Sequence, residues 1–300
     1  MPATVERPVV FFADGVRLRG YLTAPDGAGG LPAIVLCHGF LCTMAMDFPD
    51  YARRLAGEGF AVLRFDYRSF GESDGCPRGE LLPLRQSDDV RAAVSFLGAQ
   101  PEVDPQRIAL WGTSFGGAVV LHVAALDERV RAVVANVPVT NGHTWIRSVN
   151  TDESWAAVQV ALEADRVRRA LTGVSEVVPV AAFRPPLPDP DRDAFVARHA
   201  AQVAVRELSW ACVDAVLEFA PDELAARIAP RPLLLIAAPD DTIVPVEQAE
   251  SAYAKAREPK RLVLLPHGIS HFAVYVEPVV TAVLTETVDW LRAVTAADRG

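Results

Sequence analysis

Four cysteines in 300 residues, Cys37, Cys42, Cys76 and Cys212, are too few for a disulfide framework, and no two stand at Cys-x-x-Cys spacing. They read as reduced thiols, with Cys37 a small apolar residue of a buried strand. Long hydrophobic runs are missing as well: no window approaches the roughly 18 apolar residues that a bilayer span needs. The opening Met-Pro-Ala-Thr-Val-Glu-Arg-Pro has no basic leader followed by an apolar stretch. A cytoplasmic protein without a membrane partner is expected. Positive charge is in deficit, with 29 Lys and Arg against 38 Asp and Glu and a net charge of -9. Such a field repels nucleic acid, so none is expected as a partner. Neither a Walker A sequence nor a Gly-x-Gly-x-x-Gly opening a helix occurs, which removes the usual phosphate cradles, and no cofactor is expected.

What is present is apolar residue, 51% of the chain, enough for one large globular domain or for a core carrying an insertion. Val9–Ala13 and Val16–Ala24 alternate around Asp14-Gly15 and predict an antiparallel hairpin. From Pro32 the style changes. Short continuous apolar runs at Ala33–Cys37, Ala61–Phe65, Ile108–Trp111, Val130–Ala135, Leu233–Ala238 and Leu262–Leu265 alternate with helical patterns. Strands buried on both faces read this way, and the alternation predicts a parallel sheet wound by right-handed crossovers. Phe48, Tyr51, Ala52 and Leu55 share one helix face, as do Val90, Ala93, Val94 and Leu97, and Val279, Val280, Val283, Val288 and Leu291.

Between Val139 and about Ala220 this rhythm breaks. Trp155–Leu171 and Asp193–Leu217 look helical, and the proline cluster from Phe183 to Pro190 must be an extended connection. Residues 139–220 are therefore expected to form a mainly helical cap inserted into a core of residues 1–138 and 221–300.

The stretch Leu110-Trp-Gly-Thr-Ser-Phe-Gly-Gly117 sets Ser114 between two glycines after a strand and before a helical pattern. A strand-to-helix turn of this kind forces the serine into a tight conformation with its hydroxyl exposed. A serine nucleophile needs a base, and the base needs a carboxylate to fix its tautomer. Pro239-Asp-Asp-Thr-Ile-Val-Pro245 offers Asp240 and Asp241 at the end of one strand, and Pro266-His-Gly-Ile-Ser-His-Phe272 offers His267 and His271 at the end of the next. All of them fall at the strand ends where open α/β sheets bind ligands. The two histidines are four apart, yet Pro266 and Gly268 oppose a helix there and no Glu follows the first, so a metal site is not expected.

Together with Cys37-His-Gly-Phe40 and Asp66-Tyr-Arg-Ser-Phe-Gly-Glu-Ser-Asp-Gly75, these pieces resemble the α/β-hydrolase superfamily over nearly the whole chain, in its dienelactone-hydrolase, Xaa-Pro-peptidase and polyketide-transferase-like branches. The resemblance implies an α/β-hydrolase fold, with a mostly parallel eight-stranded sheet, helices on both faces and an inserted helical cap. It implies Ser114 as nucleophile, Asp241 as acid and His271 as base, because the family acid precedes a short x-Ile/Val-Val-Pro stretch and the family histidine precedes an aromatic. It also implies backbone N–H groups of Phe115 and Phe40 as oxyanion donors, with Leu41 as alternative donor or as a wall of the acyl pocket. His38, Asp66, Arg68 and the Gly71–Gly75 turn take scaffold roles in that pattern.

The expected activity is cofactor-independent hydrolysis of an ester or related acyl bond of a small molecule, carboxylesterase-like, through an acyl-enzyme. Thioester, lactone, amide or carbon-carbon cleavage, and acyl transfer, share that triad. A non-catalytic receptor would show a degraded triad, and haloalkane or epoxide chemistry would want a carboxylate at position 114. In the cap, Trp145, Trp155, Phe195, Trp210 and Phe219 either line an apolar chamber or form the cap's own core, with Trp145 and Trp210 the candidate substrate contacts. Arg147, Arg166, Arg168 and Arg169 either receive an acidic group of the substrate or, with Glu163 and Asp165 interspersed, form an ordinary solvated helix face. A homodimer is a reasonable expectation.

Overall fold

The computed structural model describes residues 3–202 and 206–297. The predicted hairpin is β1 (Thr4–Ala13) and β2 (Val16–Pro25), paired antiparallel around Asp14-Gly15. Then follow β3 (Leu31–Cys37), α1 (Phe48–Gly57), β4 (Ala61–Phe65), α2 (Pro83–Gly98), β5 (Val103–Thr113), α3 (Phe115–Leu126) and β6 (Val130–Asn136). The next segment carries α4 (Gly142–Ser148), α5 (Asp152–Thr172), β7 (Val177–Pro179), α6 (Arg192–Arg198), β8 (Glu207–Ser209) and α7 (Trp210–Leu217). The chain closes with β9 (Leu233–Ala237), α8 (Glu247–Lys255), β10 (Lys260–Leu264) and α9 (Val279–Ala297).

Eight strands form one sheet in the order β1-β2-β4-β3-β5-β6-β9-β10. It is parallel from β4 to β10, and β2 joins β4 antiparallel. This is the mostly parallel sheet that the strand pattern predicts, in the α/β-hydrolase arrangement that the resemblance implies. Side chains alternate between the two faces of each strand, so Ala33, Val35 and Cys37 enter one core with α2 and α3, while Ile34 and Leu36 enter a second core with α1 and α9. Burial on both faces explains why the central strands read as unbroken apolar runs. β10 departs from that reading. It is an edge strand and only partly buried, and Leu264 is 51% exposed.

The segment between β6 and β9 is more mixed than the expected pair of helices. α5 runs from the Thr151 side chain, which accepts from the Ser154 N–H at 3.2 Å, to a left-handed Gly173. The expected helix over Asp193–Leu217 is instead α6, then a strand, then α7. Glu207–Ser209 pairs antiparallel with Val177–Pro179, and Ser209 caps α7 through the Cys212 N–H at 3.2 Å. Three-residue strands carry too little alternation to be seen in sequence. On the outer face of α5, Val160, Val167 and Leu171, with Val174 just beyond the helix end, are exposed and recur at spacings of seven, four and three.

Candidate active site

Ser114 stands between β5 and α3 at φ 53° and ψ -122°, a conformation a non-glycine residue holds only when its surroundings over-determine it. They do so here. The Ser114 N–H donates to the Asn136 carbonyl at 2.9 Å, and its own carbonyl accepts from the N–H groups of Gly117 at 2.9 Å and Val139 at 3.1 Å. The flanking glycines are required by contact: a Cβ on Gly112 would lie 2.3 Å from the Gly116 carbonyl oxygen, and one on Gly116 would lie 2.2 Å from that of Cys37. Strand, turn and helix are thus pressed together so that the serine side chain reaches a cavity of about 100 Å³ at the carboxyl ends of the strands.

The same cavity is lined by His38, Gly39, Phe40, Trp145, Arg184 and His271, among others. His271 Nδ1 lies 2.6 Å from Asp241 Oδ2, and both side chains are almost wholly buried. The other carboxylate oxygen of Asp241 accepts from the N–H groups of Ile243 and Val244, each at 2.8 Å. Asp240 and His267 also meet, at 3.1 Å, but in solvent, with the His267 side chain 85% exposed. The structure therefore separates the two acids and two histidines into a buried pair that includes a cavity-lining imidazole and a surface pair.

Phe115 opens α3, so its N–H falls in the first helical turn, which has no intrahelical acceptor. Phe40 lines the cavity and packs edge-on against Phe115 and Trp145, with ring centroids at 5.7 and 5.3 Å. Leu41 adopts φ 57° and faces a different depression, beside Thr43, Ser69 and Phe70. Trp145 lies on the cavity wall. Trp210 does not; it is buried against Phe183, centroids 6.3 Å apart, where its bulk fills core. Arg166 and Arg169 hold Asp214, and Arg169 also reaches the buried Asp165 at 2.9 Å, so this part of the expected solvated face is packed against α7 instead.

His38 is buried against Tyr67, and burial lowers its basicity, with Asp66 opposing from 3.8 Å. Asp66 in turn accepts from the Met44 and Glu72 N–H groups, tying two loops together. Cys37 and Cys42 are both pushed up to about 12, chiefly by burial, so neither is a thiolate nucleophile at neutral pH. Sequence reasoning missed Thr113 and Tyr275, whose side-chain oxygens meet at 2.9 Å in the cavity wall, and it missed Arg184. The first two join residues 162 apart, a pairing that periodicity cannot show.

A profile of the X-Pro dipeptidyl-peptidase (S15) family matches residues 14–272. The chain belongs to that family, within the α/β-hydrolase superfamily. It is a hydrolase of the α/β class. The uncharacterized 31.7 kDa protein of the traX-finO intergenic region of Escherichia coli is 31% identical over 243 residues, 80% of this chain and 82% of that protein. Thiohydrolase aneE of Aspergillus aculeatus is 42% identical over 125 residues, covering 42% of this chain and 39% of its own. The crystal structure of the α/β hydrolase GrgF from Penicillium sp. sh18 superimposes with a TM-score of 0.81 at 26% identity, covering 97% of this chain and 99% of that one. Among the described residues no helix is long and apolar enough to cross a membrane.

Proposed function

We propose that the protein is a serine hydrolase acting on an ester or related acyl bond of a small molecule, with Ser114, His271 and Asp241 as its triad. The observation that carries this reading is the buried 2.6 Å Asp241–His271 bond beside a cavity that Ser114 and His271 both line. With Nδ1 committed to Asp241, the neutral imidazole keeps Nε2 as its acceptor. Nε2 takes the Ser114 proton as Oγ attacks the acyl carbonyl, and the Asp241 carboxylate stabilises the imidazolium. The tetrahedral oxyanion is received by the N–H groups of Phe115 and Phe40. Collapse expels the leaving group, which takes the proton from His271, and a water deprotonated by His271 then releases the acyl group from Ser114.

Carboxylester cleavage is the general form of this reading, and a thioester is the second form, favoured by the thiohydrolase name of one relative. Residues 139–220 act as a cap in either case. The exposed apolar stripe on α5 supports a homodimer, which sedimentation equilibrium checks. Four free cysteines support a cytoplasmic location. A fluorophosphonate probe tests the chemistry: it should label Ser114 in the folded protein, and labelling should vanish in Ser114→Ala. Unlabelled Ser114 with full esterase activity in Ser114→Ala would refute the triad.

A further inference from the structure

The cavity beside Ser114 contains a cation that the hydrolytic steps do not use. Arg184 follows β7 at the start of the proline cluster and lines the cavity with Ser114, Trp145 and His271. Its guanidinium lies 5.6 Å from the Trp145 ring centroid. Among the described residues, none hydrogen-bonds or ion-pairs with its side chain, and its Nε is buried without a partner. The carboxylates Asp47 and Asp241 are committed elsewhere. Asp47, also on the cavity wall, is held by Arg198 at 3.0 Å and His199 at 3.1 Å. Asp241 is occupied by His271 and two backbone N–H groups.

Burial, reinforced by Arg192, pushes the Arg184 guanidinium down to about 10, with Asp241 pulling the other way. It is therefore still a cation at neutral pH. An unpaired charge taken out of water is costly and persists where a ligand supplies its counter-charge. The stretch carrying it is also fixed to the candidate catalytic loops. Thr242 Oγ1 donates to the Pro188 carbonyl at 3.1 Å, and Ser270 Oγ donates to Asp189 and Asp191 at 3.1 and 2.8 Å. Arg184 is thereby held at a set place relative to the loops that carry Asp241 and His271, as a site for one end of a bound molecule requires.

We propose that Arg184 is a specificity residue and that the substrate carries a carboxylate which it receives while the acyl carbonyl sits at Ser114. The inference rests on the serine-hydrolase reading of the same cavity. A half-ester of a short dicarboxylic acid has this form, and its free carboxylate would restore charge balance to an apolar enclosure.

The experiment compares monoethyl glutarate with ethyl pentanoate, equal in acyl length and different only in the carboxylate. Binding is measured calorimetrically to Ser114→Ala, and kcat/KM is measured on the intact protein. A charge-assisted hydrogen bond leads us to expect a preference for the half-ester of about 10 to 100-fold in both readouts. The preference should fall to near unity when Arg184→Gln is introduced and be partly restored by Arg184→Lys. Equal or absent binding of the two esters, or a preference that survives Arg184→Gln, overturns the proposal. Selective binding without turnover by the intact protein would instead overturn the hydrolase reading and leave the carboxylate site standing. A thermal melt gives a further separation: an Arg184 kept for a ligand is destabilising when empty, so Arg184→Gln should melt no lower than the parent, and a lower melting temperature would mark a structural arginine.

Discussion

Asp241 and His271 form a buried pair at 2.6 Å, while one residue earlier Asp240 forms a looser, exposed pair with His267. Two acid-histidine pairs thus issue from the same two loops, and only one includes a residue of the Ser114 cavity. His271→Ala is expected to lower kcat/KM by about 10³-fold or more, since general-base assistance alone contributes that order. His267→Ala should leave it within about twofold, because a solvent-screened surface pair contributes little. Equal losses in an ester assay would reverse the assignment.

The turn at Ser114 makes a stability prediction independent of chemistry. In Gly116→Ala the new Cβ would meet two carbonyl oxygens, of Cys37 at 2.2 Å and His38 at 2.5 Å, and backbone cannot move aside as a flexible side chain would. A loss of about 3 kcal/mol or more is expected in urea unfolding. Gly29→Ala is the control: nothing lies within 4 Å of its added Cβ, and the change should stay within about 0.5 kcal/mol.

The thiols give a pH-dependent prediction. With its pKa pushed up to about 12, Cys42 in the cavity wall is a thiolate in only about one molecule in 10⁴ at pH 8, and that fraction rises tenfold with each pH unit. Cys37 behaves alike. Iodoacetamide at pH 8 should therefore modify the exposed Cys76 and leave hydrolysis intact. Peptide mass mapping that found Cys42 alkylated at pH 8 as readily as Cys76 would contradict the suppression of its thiolate by burial.

The sheet and the catalytic candidates were legible because each left a local mark. Ile34 and Leu36 on one face and Val35 on the other made an apolar run, and Gly112, Ser114 and Gly116 had to be adjacent for the turn to close. The segment after β6 left fewer marks. β7 and β8 are three residues each and find one another across 27 intervening positions, 180 to 206, and Trp145 and Trp210 look alike in sequence although one lines the cavity and the other fills core. Arg184 could be recognised only once the structure showed that no carboxylate among the described residues comes to meet it.

Trp145 shows that this segment also braces the candidate acid. Its indole N–H donates to the Ile243 carbonyl at 2.8 Å, and the Ile243 N–H donates to Asp241 Oδ1 at 2.8 Å, so the ring fixes the loop that positions the carboxylate. Trp145→Phe keeps most of the apolar wall against Phe40 and leaves a buried carbonyl without its donor. That change is expected to cost about 1 to 3 kcal/mol in unfolding free energy. It should lower kcat several-fold more than it raises KM, because it disturbs the placement of Asp241 rather than the space an acyl group fills. A purely structural tryptophan would lower stability with kcat unchanged, and steady-state kinetics below the melting transition separate the two outcomes.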